Sequence, residues 1–384
     1  MIPALLLLLV QAASPAATPP DDIVVTGHRA EKELAACLSR NCPPEEDVET
    51  SLRASVEQFA GGRYDAARGT LEKAIRRNRG YAAALPGPVS SLYATLATVA
   101  EHLGDNQLWL ASSRNTVLVL RRHVGENNTA TLTQELAFAD DLIGLEGPGS
   151  ANALYQSVQR KATERGKTDL AAGAAFRRAW LAANLGRDRE AVRIADEAVA
   201  LAGSRTPLIA ELRDILRARI AIRHGKDDAI DQLAARLRQS ATDQPRLLSA
   251  PPVDDINPIN SFIRKDSWQD TEIRFADVGY WIRPDGRTAG AELLRNAGLG
   301  QWAPGILKQV SARRYVPLSV GPDTPGVYRI DRFTVRGTMG TPTGSRIARR
   351  IGNLSVHIVD LTETDTMNAA LRTQMRKTAS NAGS

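Results

Sequence analysis

The sequence predicts a mainly α helical-repeat solenoid followed by a small α+β domain of β-β-α-β order. Three observations predict it. Ala- and Leu-rich stretches with helical spacing run from about Ser51 to Ser240. A glycine-centred break recurs within them. Near residue 270 the apolar period changes from about 3.6 to about 2 residues. The 384 residues leave room for two cores. Aromatics make up only 5% of the chain, which suits close packing of Ala-rich helices better than a large β-sandwich.

In chain order, Ile2-Pro-Ala-Leu-Leu-Leu-Leu-Leu-Val10 is a short apolar run, and Gln11 to Ala17 offers small residues for cleavage. Residues 1–17 therefore read as a signal peptide, with cleavage expected between Ala12 and Ala17. A bilayer core needs roughly 20 apolar residues in helix, so this run predicts export to the periplasm and no stable transmembrane span. Residues 18–45 read as an extended arm with a cysteine pair. Its run Ile23, Val24, Val25, Thr26 and Gly27 is too short for a core strand, and either pairs with a sheet edge or stays free. Cys37 and Cys42 are the only cysteines. In an exported chain they predict one small-loop disulfide. A metal site would need further ligands, and a redox pair a closer spacing.

Residues 46–240 read as helical repeats. Leu52, Val56 and Phe59 fall at helical spacing, Gly61-Gly-Arg-Tyr-Asp65 breaks the helix, and Ala66, Ala67, Leu71, Ala74 and Ile75 form a second apolar face. Residues 168–201 repeat the plan: Gly62 aligns with Gly186, Ala67 with Ala191, and Ala74 with Ala198. Gly225 begins a partial third copy, 39 residues after Gly186. This pattern resembles tetratricopeptide repeats, in which small residues let the two helices of a unit cross closely. The likeness is clear in 51–78 and 168–201 and fainter in 90–120 and 207–238. Between 124 and 150 only helical character and loop signals such as Gly147-Pro-Gly149 are legible. The resemblance implies stacked units with an extended groove.

Residues 241–270 read as a linker carrying Pro245, Pro251, Pro252 and Pro258. The C-terminal domain spans 271–337. Val278, Tyr280 and Ile282 alternate with Asp277, Gly279 and Trp281. Arg283-Pro-Asp-Gly286 is a turn, and a second strand carries Ala289, Ala291 and Leu293. A helix follows over Trp302 to Arg314, then Tyr315-Val-Pro317, then a last strand from Val327 to Val335. From Ile273 to Arg350 there are thirteen Lys/Arg against five Asp/Glu, a net +8 in a chain whose net charge is +6. This basic excess reads either as a solvated surface or as a face for an anionic partner. Residues 338–384 read as a tail, in which Leu354 to Leu361 is a candidate extra strand and Thr362 to Ser384 is expected to fray.

The order of these elements resembles the C-terminal domain of TonB-type energy transducers. The likeness covers about a sixth of the chain. The family's Ser-Ser-Gly is Asn296-Ala-Gly298 here, and no long Pro-rich spacer precedes the domain. The resemblance therefore points to fold and binding rather than to energy transduction. It implies a receiver edge on the last strand, at Val327, Tyr328, Arg329, Ile330 and Arg332. Asp22-Ile-Val-Val-Thr-Gly27 in turn resembles the segment of outer-membrane receptors that such domains contact, by strand addition.

No catalytic constellation accompanies these elements. His28, His102, His123, His224 and His357 are scattered and read as surface or helix-end residues. Asp140-Asp141 and Asp254-Asp255 are paired acids beside loop signals. No phosphate loop, nucleophile elbow or dinucleotide fingerprint is present. The expectation is a non-enzymatic scaffold without cofactor or metal. It would bind envelope proteins or extended peptides and no nucleic acid, with its oligomeric state left open. The first alternative is a structural protein whose C-terminal module only caps the solenoid; behind it stand a TonB-like energy-transduction component and a cryptic envelope enzyme.

Overall fold

In the computed structural model, a row of helical hairpins is joined at two places by a C-terminal α+β module. The structure describes residues 29–203, 207–226, 228–237, 245–253, 256–257, 272–320, 324–342 and 344–362. Ile23 to Gly27 lie outside them. The expected extended arm gives way to a helix, α1 (Arg29–Ser39). Its Glu, Lys, Leu and Ala residues are strong helix formers. Glu31 pairs with Arg63, and Glu57 accepts the Ala30 amide at 2.7 Å. The Cys37–Cys42 disulfide, with Cα atoms 5.1 Å apart, closes the turn that follows.

Five hairpins come next among the described residues: α2 (Pro44–Ala60) with α3 (Tyr64–Asn78), α4 (Pro86–Leu103) with α5 (Asn106–His123), α6 (Thr129–Leu145) with α7 (Pro148–Glu164), α8 (Thr168–Asn184) with α9 (Asp188–Ala202), and α10 (Pro207–Arg223) with α11 (Ala229–Leu237). One device ends α2, α4, α8 and α10. Gly62, Gly104, Gly186 and Gly225 take left-handed φ values of 76°, 78°, 73° and 81°. The amide of the next residue then reaches back five positions, as Arg63 N does to Gln58 O and Arg187 N to Ala182 O. This closes the last turn and satisfies end carbonyls. Ala67, Ala74, Ala191 and Ala198 are fully buried between helices. Residues 124–150, where only helical character is expected, contribute to a full hairpin. Its turn has Gly147 at φ 98° and Pro148 at the start of α7.

The expected linker contains a strand, β1 (Leu247–Ser249). The module follows with β2 (Arg274–Ile282), β3 (Thr288–Ala297), α12 (Ala303–Ser311), β4 (Arg314–Tyr315), β5 (Val327–Gly340) and β6 (Arg349–Asp360). The expected β-β-α-β order is present, with a shorter helix and a longer last strand. The sheet is antiparallel in the order β3-β2-β5-β6, and β1 pairs separately with β4. Gly286 N donates to Arg283 O, and Asp285 accepts the Arg287 amide, so the Pro-Asp-Gly turn forms as its residues dictate.

Alternation sorts β2 and β5 into two faces. Ala276, Val278, Tyr280, Ile282, Phe333 and Val335 pack on Ala303, Ile306 and Val310 of α12. The opposite face carries Phe275, Asp277, Arg332, Thr334 and Arg336, and it meets the helices.

This topology covers one position of the expected receiver edge, Arg332. β5 is an interior strand, because the candidate strand in the tail is β6 and pairs with it from Asp331 to Gly340. Arg332 lies opposite Val359 there and opposite Asp277 on β2. Val327, Tyr328, Arg329 and Ile330 extend past the end of this ladder and are half-buried against β2. Leu361 and Thr362 after β6 are helical, and residues 363–384 lie outside the described residues.

Candidate functional site

Two places gather side chains with something to do. The first is the junction between the sheet and the first two hairpins. Here four arginines reach the C-terminal carbonyls of two helices. Arg332 donates to Phe59 O and, at 2.7 Å, to Ala60 O at the end of α2; Arg295 also donates to Ala60 O. Arg336 donates to Glu101 O at 2.9 Å, and Arg350 to Leu103 O at 2.9 Å, at the end of α4. Met339 N adds a bond to Gly104 O at 2.8 Å. Helix C-termini present unpaired carbonyls and partial negative charge, so cations are favourable there by about 0.3–1 kcal/mol, and up to ~2 where partly buried. Arg332 and Arg336 stand four residues apart on one face of β5. At about 3.3 Å per residue they are spaced by ~13 Å and serve the first helices of neighbouring hairpins.

Arg332 is 0% exposed and Asp277 1% exposed. Their bidentate pair has N–O distances of 2.7 and 2.9 Å, and Arg295 bonds the same carboxylate at 2.7 Å. Burial works against the Arg332 charge, but the Asp277 carboxylate overrides it and its pKa is raised. The guanidinium also lies 4.3 Å from the centroid of Phe275. Arg336 has weaker compensation, and burial pushes it down to about 10. Between the two arginines Thr334 bonds Nδ1 of His102 at 2.8 Å and the Tyr64 hydroxyl at 3.3 Å. His102 sits at a helix end, one of its two expected places, and is 1% exposed.

The turn glycines show how closely the module approaches. A Cβ on Gly62 would stand 2.6 Å from the Phe275 ring, and one on Gly104 would stand 2.4 Å from Gly337 O. The same addition at Gly186 or Gly225 meets nothing within 4 Å. Gly62 and Gly104 thus serve the helix turn and the docking together.

This geometry revises both readings of the basic excess. Arg295, Arg332, Arg336 and Arg350 hold the repeats. Arg313 is buried with Asp331 under α12, Arg329 pairs with Asp360, and Arg314 pairs with Asp231 on α11. Much of the positive charge is internal.

The module also meets the last hairpin. Leu248 on β1 and Val316 pack among Ile215, Ala218, Ile230 and Leu233, and Arg219 donates to Leu247 O at 3.0 Å. The second place lies beside this contact. A cleft of about 430 Å³ opens along α6, α8 and α10, lined by Ile143, Tyr155, Phe176, Trp180, Leu212 and Arg219. Phe176 and Trp180 have centroids 6.2 Å apart, and the Arg219 guanidinium lies 4.5 Å from the Trp180 ring. The guanidinium donates to the Leu247 and Leu248 carbonyls, and burial lowers its pKa to about 10. Asp140 at the rim accepts from the Tyr155 hydroxyl and from Arg177 at 3.2 Å. Ile143 and Leu247 are exposed large apolar side chains at its border.

The paired acids do not act together. Asp140 faces the cleft, whereas Asp141 bonds Ser113 at 2.6 Å and is pushed up to about 6 by burial. Asp254 and Asp255 lie outside the described residues. Cys37, Cys42 and Glu46 come close together, but both sulfurs are committed to the disulfide. No helix among the described residues is long and apolar enough to cross a membrane.

Of the residues expected to matter, the repeat positions Gly62, Ala67, Ala74, Gly186, Ala191 and Ala198 occupy turns and helix crossings. The arm lies outside the described residues, and the receiver positions form no free edge from Asp331 onward. Sequence reasoning missed Phe176, Trp180 and Arg219, although the four-residue spacing of Phe176 and Trp180 belongs to the pattern that revealed the helices. It also missed His102 and Thr334, whose partnership spans 232 positions and leaves no local signal.

No protein-family model matches the chain, and no curated protein matches it. Two solved structures are similar to parts of it. One is a Podosopora anserina protein of nearly identical TPR-like repeats, described as kinesin light chain. It has 14% identity and a TM-score of 0.41, over 51% of this chain and 97% of that one. The other is BtubC (BKLC) from P. vanneervenii, with 14% identity and a TM-score of 0.42, over 60% of this chain and 96% of that one. The chain is a row of helical hairpins with a small antiparallel α+β region after it.

Proposed function

We propose that this chain is an exported, non-enzymatic scaffold that binds extended peptides or envelope proteins in the cleft along α6, α8 and α10. The observation that carries the reading is the contrast between its two candidate surfaces. The sheet face of the module is engaged by hairpins one and two, and β6 covers β5 from Asp331 onward. The cleft keeps apolar side chains and an aromatic pair at an accessible border. An extended chain can lay alternate side chains into such a cleft. In this reading the module retains a TonB-C-like order of elements but has lost strand capture on β5. The structural alternative, in which the module caps the solenoid, draws support from the same arginine contacts and is compatible with cleft binding.

A library of random dodecapeptides displayed on phage and selected on the full chain tests the reading. Enriched peptides should bind wild type and lose at least about tenfold in affinity with Phe176→Glu or Ile143→Asp, since a buried charge opposes apolar contact. No enrichment, or equal binding to both variants, would overturn it. Recovery of the chain from the periplasm with Cys37 and Cys42 unreactive to maleimide checks the export part; a cytoplasmic, thiol-reactive chain contradicts it.

A further inference from the structure

We infer that His102 is the pin of an acid-sensitive latch that holds the C-terminal sheet against hairpins one and two. The His102 ring is shut between α4 and the sheet, with its Nδ1 on Thr334 Oγ1 at 2.8 Å. Phe59 from α2 meets it edge-on at 5.0 Å, Tyr64 from α3 stacks at 6.2 Å, and His357 from β6 meets it at 6.1 Å.

The charged and titratable groups around this pocket come from each neighbouring element. Tyr64 comes from α3, Glu101 from its own helix, Asp277 from β2, Arg332 and Arg336 from β5, and His357 and Arg350 from β6. The two carboxylates already have partners: Asp277 holds Arg332 and Arg295, and Glu101 accepts from Nδ1 of His357 at 2.8 Å. A proton added to His102 would sit between two buried arginines and beside a second histidine. Burial first, then His357, Arg332 and Arg336, hold its pKa well below the usual value.

The sign follows from linkage. A histidine with a pKa depressed in the closed form and about 6.5 in the open form favours closure fully above that value. As pH falls toward the closed-form pKa, that preference is lost. The latched ends of α2 and α4 carry the arginine caps, so opening would free the basic sheet face and loosen the first hairpins together.

Hydrogen exchange of the full chain, corrected for the pH dependence of intrinsic exchange, reads the latch directly. Between pH 7.5 and 5 the opening of β5 and the end of α4 should rise by about thirtyfold, since one proton site contributes up to about tenfold per pH unit. The hairpin of α8 and α9 should keep its protection. His102→Gln, which keeps a hydrogen-bonding side chain and cannot be charged, should flatten the response. Imidazole NMR of wild type gives a second readout that needs no variant: the His102 signal should titrate well below the ordinary histidine range and only as β5 opens. Opening that does not change with pH, an unaltered response in folded His102→Gln, or a His102 that titrates near 6.5 with the sheet still protected would each overturn the proposal.

Discussion

Arg332 bonds a carboxylate on β2 and two carbonyls at the end of α2 from a site that is 0% exposed. A buried ion pair gives little net stability over an apolar replacement of both partners, but removing one partner leaves a charge without compensation. Arg332→Met should therefore cost about 3 kcal/mol, read by urea denaturation, because Asp277 keeps only Arg295 and Phe59 O loses its sheet donor. A loss below about 1 kcal/mol would show that the contact is incidental. Sequence alternation is local, and it sets Arg332 on the strand face opposite Phe333 and Val335. It could not place Phe59 O opposite it, because 273 positions separate the two.

At the scale of elements, the glycine turns separate two demands on the same residue type. Gly186 needs only its left-handed φ of 73°, whereas Gly62, at φ 76°, also admits the Phe275 ring. Gly186→Ala should cost about 1–2 kcal/mol from backbone strain alone. Gly62→Ala should cost at least about 1 kcal/mol more, because Phe275 is confined beside Arg332 and cannot yield freely. Thermal melts of the two variants check this; equal losses would mean that the module sits loosely on α2. These hairpins were legible because Gly and two Ala residues recur at fixed offsets. The hairpin of α6 and α7 was not, because Glu146 stands where the turn glycine would be and the turn uses Gly147-Pro148, although Ala151 is buried in the place of Ala67 and Ala191. The helix at Arg29–Ser39 was hidden by its position beside an arm read as extended, although its composition favours helix.

At the scale of the molecule, the module is built into the repeats at two places: the ends of α2 and α4, and the packing of β1 and Val316 on α10 and α11. The change of period near residue 270 marked the module correctly but implied a separable unit. Its basic composition read either as a solvated surface or as a face for an anionic partner, whereas many of the arginines find partners within the chain. Composition records how many charges there are, and only the fold decides which of them meet water. The central claim is that module and first hairpins stabilise one another. Hydrogen exchange on a chain ending at Leu237, compared with the full chain, tests it most directly. The account predicts that α2 to α5 lose protection by at least about a hundredfold, since loss of the module removes several charged hydrogen bonds worth ~1.5–3 kcal/mol each, while α8 and α9 change little. Unchanged protection across α2 to α5 would contradict it.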